Sequence, residues 1–270
     1  MKKTEDIEQL AKENRKRIVK MIHESGMGHP GGALSMIDML SAVYEMEVDF
    51  KQNPRSKVML SKGHAVAAQY AVLNQRGIIK DEELKSFRHC NSRLQGHPSI
   101  KDILEVDCTT GLLGQGLSLG VGSALAKKMN HDPHYVYVFI GDGELVEGQI
   151  WEAMLQAAHY KLDNLVLILD YNKLSSSGDV NESINLENIY DKFKAFNFDT
   201  HEIDGNNMVE ILNVLEKVKT IYNQPHAIIA NTIKGKGVSF MENNPKWHSL
   251  ALNEEEYKMA MKELEGGTHL

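Results

Sequence analysis

Two short loops in the sequence contain oxygen side chains that could bind a metal ion. One, Gly-Asp-Gly-Glu at 141–144, directly follows an apolar run at 135–140, and Asp-Tyr-Asn at 170–172 directly follows another at 165–169. If the two runs are neighbouring parallel strands, their carboxyl ends lie at one edge of a sheet, where Asp142 and Asn172 can meet. Carboxylate, amide and backbone carbonyl oxygens suit Mg²⁺ or Ca²⁺ and are poor zinc ligands.

The first of these loops also favours a phosphate group. Gly143 lets a phosphate approach the backbone closely, and the start of the helix that follows attracts an anion. Because Mg²⁺ usually shares its ligand shell with phosphates, the pattern indicates a metal-bridged diphosphate. The alternative is that Gly-Asp-Gly forms only a tight turn. The second loop, at the end of the matching strand, argues against that alternative.

A glycine-rich segment, GLLGQGLSLG at 111–120, is a second candidate. It does not fit the dinucleotide fingerprint G-x-G-x-x-G, because residue 119 is leucine and the preceding VDCTT is no convincing strand. The glycines still allow a flat ligand to approach the backbone closely. The alternative is a glycine-rich turn that opens a helix.

Four of the twelve histidines lie in loop-like segments, three of them beside Gly or Pro. They are His29, His64, His97 and His248. Histidines in such segments often line sites, so together they predict a cleft with several proton donors. Taken singly, each could instead have a surface or capping role. The pair in His131-Asp-Pro-His134 lies in a polar turn, and we interpret it as solvated.

Three acidic residues lie at the end of the first loop and in the segment after it. They are Glu144, Glu147 and Glu152. Glu147 and Glu152 are five residues apart at the start of a predicted helix, so they do not share one face. Without further information, they are explained by the favourable interaction of negative charge with a helix N-terminus.

The elements that position these residues alternate between helices and short apolar strands. The pattern predicts strands at 135–140, 165–169, 200–203 and 226–232, and helices at 4–25, 33–46, 64–77, 115–129, 147–161 and 208–219. This order implies right-handed crossovers. The predicted fold is therefore α/β, a mainly parallel twisted sheet with helices on both faces, and the length allows one large domain or two small ones.

Composition excludes several classes of protein. The chain has 270 residues, of which 42% are hydrophobic and 25% charged, with a formal net charge of −7. This acidity disfavours nucleic-acid binding, and the basic cluster at 12–20 is interpreted as the wet face of a helix. No apolar run is long enough for a membrane span, and the N-terminus lacks the apolar region of a signal peptide. Two cysteines, Cys90 and Cys108, fit a reducing cytoplasm.

Several long motifs, in one order, resemble the transketolase family. GDGELVEGQIWEA with DYN thirty residues after Asp142 resembles the thiamine-diphosphate signature, and SGMGHPGG, SKGHA, QGHPS and TTGLLGQGLSLGVG are similar to transketolase. The match runs from about residue 10 to about residue 250, and it implies a single pyrophosphate-binding domain over residues 1–270. TIKGKGVSFMENNPKWH is especially similar to the N-terminal, pyrophosphate-binding subunit of split bacterial transketolases. The chain departs from the family at Lys173 and at Ser175–Ser177, which leaves the local surface and substrate preference open.

The resemblance implies a role for each candidate residue. Mg²⁺, with Ca²⁺ or Mn²⁺ as substitutes, would be bound by Asp142, Asn172 and the carbonyl of Leu174. Thiamine diphosphate would contact His64, Gly143, Asn172 and His248 and would border Gly111, Leu112 and Leu113. The sugar would face His29, His97 and His248, which would move protons. Glu147 and Glu152 would belong to a carboxylate chain between two active sites.

The resemblance also implies an incomplete enzyme. Transketolases move a two-carbon ketol unit between sugar phosphates, as in the pentose phosphate pathway, and these 270 residues match only the pyrophosphate-binding part. The expected partner is a second subunit with the pyrimidine-binding domain, in an α2β2 heterotetramer built on a dimer of this chain. A related transferase acting on a branched, sulfonated or deoxy sugar is the alternative. A non-catalytic diphosphate-binding module is disfavoured by the four loop histidines.

Overall fold

Five parallel strands form one sheet in the computed structural model, whose described residues are 3–175 and 178–266. The strands are β1 (Lys57–Leu60), β2 (Val136–Gly141), β3 (Leu165–Tyr171), β4 (Asp199–Asp204) and β5 (His226–Asn231). Their order across the sheet is β1-β2-β3-β5-β4, and every neighbouring pair is parallel. The expected α/β fold with a parallel sheet is confirmed.

The central strands are buried on both faces, as parallel strands usually are. Alternate residues of β2 and β3 point into two separate apolar clusters, because successive side chains of a strand face opposite ways. Tyr137 and Phe139 belong to one cluster, whereas Val138 and Ile140 belong to the other. In the register of these strands, Gly141 pairs with Asp170, so both strands end at the same level.

Helices cover both faces of the sheet. They are α1 (Thr4–Ser25), α2 (Pro30–Ser35), α3 (Ile37–Glu47), α4 (Val66–Gln75), α5 (Asp81–Leu84), α6 (Gln115–Met129), α7 (Gly148–His159), α8 (Val180–Ser183), α9 (Ile189–Ala195), α10 (Met208–Lys217) and α11 (Glu254–Leu264). The first cluster takes its helical residues from α1 to α4, α10 and α11, and the second from α6 to α9. Among the described residues, no helix combines the length and the apolar character that crossing a membrane requires.

Some elements differ from their predictions. The helix predicted at 33–46 is two helices that meet at Met36, and the helix predicted at 64–77 opens with a 3₁₀ turn, Gly63–Ala65. Strand β1 was not predicted, because its apolar run is only three residues long after Lys57. Helix α11 was also missed, although Asn253 and Glu256 form a capping box at its start.

The basic segment of α1, at 12–20, is not simply solvent-exposed, contrary to the prediction. Arg15 is only 8% exposed. Its guanidinium donates two hydrogen bonds to Asp38 of α3 and one, of 3.1 Å, to the carbonyl of Lys236. The ion pair holds α1 against α3, and the hydrogen bond to Lys236 holds α1 against the segment after β5. Both contacts supply the acceptors that a buried guanidinium requires.

Candidate functional site

Asp142 and Asn172 lie at the carboxyl edge of the sheet, directly after β2 and near the end of β3. Asp142 is 3% exposed and Asn172 is 7% exposed. One oxygen of Asp142 accepts a hydrogen bond from the Gly143 N–H at 2.7 Å, and the other accepts one from the Lys173 N–H at 2.5 Å. The two loops predicted to meet are therefore in direct contact. Lys173 adopts a left-handed conformation, with φ of 66°, in this turn.

The Asp142 carboxylate is poorly compensated by the protein around it. Burial, together with the nearby negative charge of Asp170, raises the pKa of Asp142 to about 6. Asp170 is fully buried, and burial acts to raise its pKa, but the ammonium of Lys62 and hydrogen bonds from Ser35 and Thr232 lower it overall. A divalent cation beside Asp142 would supply the missing positive charge. The chemistry of this donor set thus fits a hard metal ion.

The remaining predicted metal ligands lie beside Asp142. The side-chain oxygen of Asn172 accepts a hydrogen bond from the Leu174 N–H at 3.2 Å, and its amide nitrogen donates to Asp170 at 3.1 Å. The carbonyl oxygen of Leu174 accepts a hydrogen bond of 2.7 Å from the ammonium of Lys234. This carbonyl already faces a positive charge, as a metal-binding oxygen would. No cluster of three or more His, Cys, Asp or Glu side chains that could hold a metal occurs in the described parts of the chain.

A cavity of about 170 Å³ opens over this edge. Its lining combines the predicted metal ligands with two histidines, two lysines and several glycines. The lining residues are Gly32, Lys62, His64, Leu113, Gly141, Asp142, Gly143, Glu144, Asn172, Leu174, Ser175, Lys234 and His248. The remaining serines of the departure from the family, Ser176 and Ser177, lie outside the described residues.

Two buried lysines in this cavity were not predicted from the sequence. Lys62 is 2% exposed and Lys234 is 1% exposed. Lys62 forms an ion pair with Asp170 and donates a 3.0 Å hydrogen bond to the carbonyl of Gly32. Burial, with the positive charge of Lys62, lowers the pKa of Lys234 to about 8. Two ammonium groups in one cavity fit a ligand with several negative charges, such as a diphosphate.

Three of the four predicted histidines form a cluster beside the cavity. The ring centroids of His29 and His64 are 5.2 Å apart, those of His64 and His248 are 5.3 Å apart, and those of His29 and His248 are 5.7 Å apart. His29 precedes α2, His64 lies in the 3₁₀ turn after β1, and His248 ends a 3₁₀ turn after β5. The fold therefore brings together rings that are more than 200 residues apart in the chain.

These histidines are kept neutral by their surroundings. Burial, followed by the charge of Arg88, lowers the pKa of His29 to about 4. Burial and the charge of Lys234 lower the pKa of His248 to about 4, and burial, with Lys62, places the pKa of His64 well below its usual value. The ammonium of Lys234 also donates to Nδ1 of His248 at 3.0 Å. Near neutral pH each ring therefore offers one N–H donor and one acceptor nitrogen.

His97 lies at the margin of this cluster and contacts the glycine-rich segment. A Cβ atom on Gly111 would lie 3.3 Å from Cδ2 of His97, so the glycine permits close packing against the ring. Leu113 lines the cavity, whereas Leu112 is 75% exposed and points away from the described residues. Burial, followed by the charge of Arg88, lowers the pKa of His97. The structure thus places Gly111, Leu113 and His97 at the site, with Leu112 on the outer surface.

The three glutamates after β2 have different surroundings. Glu144 is 2% exposed and accepts hydrogen bonds from Ser61, from the Gly114 N–H at 2.8 Å and from the Gly141 N–H at 3.2 Å. It fastens the glycine-rich segment to the end of β2. Glu147 and Glu152 are instead exposed and lie outside the cavity. Their predicted place in a carboxylate chain stays a prediction.

Exposed apolar side chains occur on α6, on α7 and in the loops before these helices. Four of them are between 41% and 75% exposed. They are Leu112, Leu119, Val146 and Leu155. Helices α6 and α7 contact each other, and apolar side chains exposed on neighbouring elements are typical of a protein–protein interface. Two of these side chains, Leu112 and Val146, belong to the loops that line the cavity.

Comparison with known proteins gives one family. Residues 7–267 match the family described as transketolase, thiamine diphosphate binding domain. The chain is 40% identical over 265 residues to one subunit of the apulose-4-phosphate transketolase of Phocaeicola vulgatus, covering 96% of this chain and 94% of that protein. It is 41% identical over 266 residues to 6-deoxy-6-sulfo-D-fructose transketolase subunit SqwG of a Clostridium species, covering 96% of each.

Longer relatives match over part of their length. Human transketolase is 37% identical over 247 residues, which are 88% of this chain and 39% of that protein. The crystal structure of transketolase from Campylobacter jejuni superposes with a TM-score of 0.91 at 36% sequence identity, covering 99% of this chain and 43% of that one. The chain thus spans about two fifths of these proteins and nearly the whole of the two subunits.

Proposed function

Because the chain belongs to the transketolase family, matching its thiamine diphosphate binding domain, we propose that it is the N-terminal subunit of a two-subunit transketolase. The enzyme would move a two-carbon ketol unit from a ketose phosphate to an aldose phosphate. The main supporting observation is the cavity at the carboxyl edge of the sheet, where Asp142, Asn172, two buried lysines and two histidines surround one space.

Residues of this edge would hold the cofactor and its metal. Asp142, Asn172 and the Leu174 carbonyl would bind Mg²⁺, with Ca²⁺ or Mn²⁺ as substitutes, and the diphosphate would lie against Gly143, His64 and His248. The ammonium groups of Lys62 and Lys234 would neutralise phosphate charge, because both are buried within the same cavity. When bound, thiamine diphosphate supplies a carbon nucleophile and stabilises the negative charge that develops during carbon–carbon bond cleavage.

The histidines would handle protons on the sugar. Because the pKa values of His29 and His248 are lowered to about 4, both rings are neutral at physiological pH. A neutral ring donates a hydrogen bond from one nitrogen and accepts one at the other, so it can relay a proton between sugar oxygens. His97 would bind the sugar from the side of the glycine-rich segment. Gly111 and Leu113 would border the thiazolium ring, and the exposed side chain of Leu112 would lie beside it on the side of the partner subunit.

A second, different subunit would complete the site. The predicted residues account for the diphosphate end of the cofactor and for its thiazolium ring, and this chain spans only 39% of human transketolase. We propose that the partner contributes the aminopyrimidine pocket. Two copies of each chain would form an α2β2 heterotetramer, with this chain self-associating through the exposed surface of α6 and α7 that bears Glu147 and Glu152.

The sugar could differ from those of the pentose phosphate pathway. Relatives about 40% identical have names that specify apulose 4-phosphate and 6-deoxy-6-sulfofructose. The departure from the family at Lys173 and Ser175 lies at the edge of the cavity, since Ser175 lines it. We therefore keep a branched, sulfonated or deoxy sugar as a second candidate substrate. With two free cysteines and a sugar-phosphate substrate, we propose a cytoplasmic location.

Reconstitution tests the proposal. The purified chain would be assayed alone and with a candidate partner chain that has a pyrimidine-binding domain, with thiamine diphosphate, Mg²⁺ and a panel of ketose donors. We expect ketol transfer only from the mixture, and the best donor identifies the substrate. Robust transfer by the isolated chain, or a mixture that binds cofactor and transfers nothing from any ketose, would refute the proposal.

A further inference from the structure

Arg88 is held in an unusual position beside the histidine cluster. It follows α5 and has a left-handed backbone, with φ of 61°, while its N–H donates to the Leu94 carbonyl at 2.8 Å. The guanidinium lies against Gly96, where a Cβ atom would be only 2.6 Å from Cζ of Arg88. The turn from Arg88 to Leu94 and the glycine at 96 together fix the direction of the side chain.

The guanidinium of Arg88 has no negatively charged partner among the described residues. Its Nε is buried and has no hydrogen-bond partner among the described residues. Its Nη2 donates to Nδ1 of His29 at 3.4 Å, and Arg88 forms no ion pair with a carboxylate in residues 3–175 and 178–266. By contrast, Arg93 of the same segment pairs with Glu83 at 2.6 Å. A partly buried cation without an anion is costly, so the fold retains Arg88 in this state at some expense in stability.

The neighbours of Arg88 indicate which ligand it lies closest to, the cofactor or the sugar. His29 lies between Arg88 and the cofactor cavity, because its ring contacts both Arg88 and the rings of His64 and His248. The positive charge of Arg88 also contributes, after burial, to lowering the pKa of His97. Both histidines that border Arg88 are those proposed to bind the sugar. The guanidinium therefore lies on the side of His29 away from His64 and His248, next to the two histidines proposed to bind the sugar.

We propose that Arg88 binds the terminal oxyanion of the sugar substrate, a phosphate or a sulfonate, through two N–H groups of its guanidinium. A guanidinium presents two parallel donors that match two oxygens of such a group. This inference rests on the proposed function and extends it, because it gives this chain its own determinant for an anionic sugar. Arg88 would then select charged sugars over neutral ones, in addition to any residues of the partner subunit.

Kinetics of the reconstituted pair test the inference with a ketose phosphate and the same ketose without phosphate. We expect Arg88→Gln to lower kcat/KM for the phosphorylated sugar by roughly 10- to 100-fold, as loss of a charged hydrogen bond would, and to change kcat/KM for the free sugar little. Gly96→Ala keeps the charge but displaces the guanidinium, so it should shift selectivity in the same direction. Arg93→Gln is the matched control and should leave selectivity unchanged.

Equal losses for both sugars in Arg88→Gln would overturn the inference, since they would mean that Arg88 acts only through His29. Unchanged selectivity in both the Arg88→Gln and the Gly96→Ala variants would overturn it as well. If the parent pair transfers no ketol unit, the proposed function fails, and a second measurement then decides on Arg88. The full chain would be titrated with inorganic phosphate while the Nε–H signal of Arg88 is followed by NMR. A saturating shift supports the inference, and an unmoved signal contradicts it.

Discussion

The pKa values of charged groups shift in opposite directions at the two ends of the sheet. At the amino end, ion pairs with Lys127 and Lys128 and hydrogen bonds from His201 and His226 overcome the effect of burial and lower the pKa values of Asp132, Asp163 and Asp199. At the carboxyl end, burial raises the pKa values of Asp142 and Glu144 and lowers those of Lys234 and the histidine cluster.

We interpret this difference as a contrast between charged groups that stabilise the fold and charged groups that are available to bind a ligand. Charged groups at the amino end are stabilised by partners in the same chain, whereas many at the carboxyl end are pushed toward their neutral forms. There is one exception at each end, since burial raises the pKa of Asp107 despite its pairing with Arg55, while Lys62 lowers the pKa of Asp170. Groups shifted toward neutrality in a cleft are typical of sites that await a charged ligand.

The strongest test of this contrast removes the Asp142 carboxylate. Asp142→Ala should abolish magnesium-dependent binding of thiamine diphosphate by the reconstituted pair, a loss larger than the roughly 10- to 100-fold that an outer-shell partner contributes. The fold should survive, because this loop side chain supports little of the core. Calorimetry and thermal unfolding on the same samples measure both effects. Cofactor affinity equal to that of the parent would remove Asp142 from the metal site.

The histidines should separate into two kinetic classes. His29→Ala and His97→Ala should lower turnover by about 10²–10⁴-fold and raise KM for the donor, with cofactor affinity near that of the parent. His64→Ala should weaken cofactor binding itself, because this ring lines the cavity that we propose holds the diphosphate. Steady-state kinetics and cofactor titration of each variant give the two readouts. Full activity in His97→Ala would show that this ring does not act on the sugar.

The reciprocal change at the amino end should affect stability alone. Asp199 accepts hydrogen bonds from His201 at 2.7 Å and from buried His226 at 2.9 Å. Asp199→Asn should therefore reduce the free energy of unfolding by about 1.5–3 kcal/mol, the range for hydrogen bonds to charged groups. Denaturant unfolding measures this loss, and cofactor affinity should not change. A weakened cofactor affinity with unchanged stability would contradict the division between the two ends.

The smallest expected effect is on the pH dependence of stability. The pKa of His29 is about 4 in the folded chain and 6.5 as its ordinary value, so between these pH values the unfolded chain binds more protons. Stability from this ring is thus complete above pH 6.5 and is lost as pH falls toward 4. The slope is at most about 1.4 kcal/mol per pH unit, reduced by solvent screening of a partly exposed ring.

A variant isolates this contribution. His29→Gln should flatten the decline of stability between pH 6.5 and 4, and the exposed ring of His89 provides the matched control in His89→Gln. Chemical denaturation at several pH values supplies the measurement. An identical decline in the parent and in His29→Gln would mean that His29 is not kept neutral by its surroundings.

Residues next to long apolar strands could be predicted from the sequence. The strands β2 and β3 are unmistakable, so Asp142 and Asn172 follow from the rule that parallel strands end at one edge. The resemblance to the N-terminal subunit of split transketolases is confirmed by the family match over 7–267 and by the two subunit relatives. The fold class is confirmed as well, with boundaries mostly within a few residues.

Lys62, Lys234 and Arg88 could not be predicted in the same way. A lysine or an arginine is exposed by default, and nothing local marks one as buried. Lys62 is buried because the unpredicted strand β1 delivers it to the carboxyl edge beside Asp170, which lies 108 residues further along. The direction of Arg88 depends on a left-handed turn and on Gly96. Such placements arise from tertiary structure, and Gly96 is the only one of these features that is visible in the sequence.

The central claim is that the carboxyl edge of this chain holds one end of a cofactor that a second chain completes. A crystal structure of the reconstituted pair with thiamine diphosphate and Mg²⁺ tests it most directly. We predict Mg²⁺ bound at about 2.0–2.1 Å by oxygens of Asp142, Asn172 and Leu174, with the diphosphate beside His64 and the aminopyrimidine in the partner. A cofactor enclosed entirely by this chain, or bound away from Asp142, would contradict the claim.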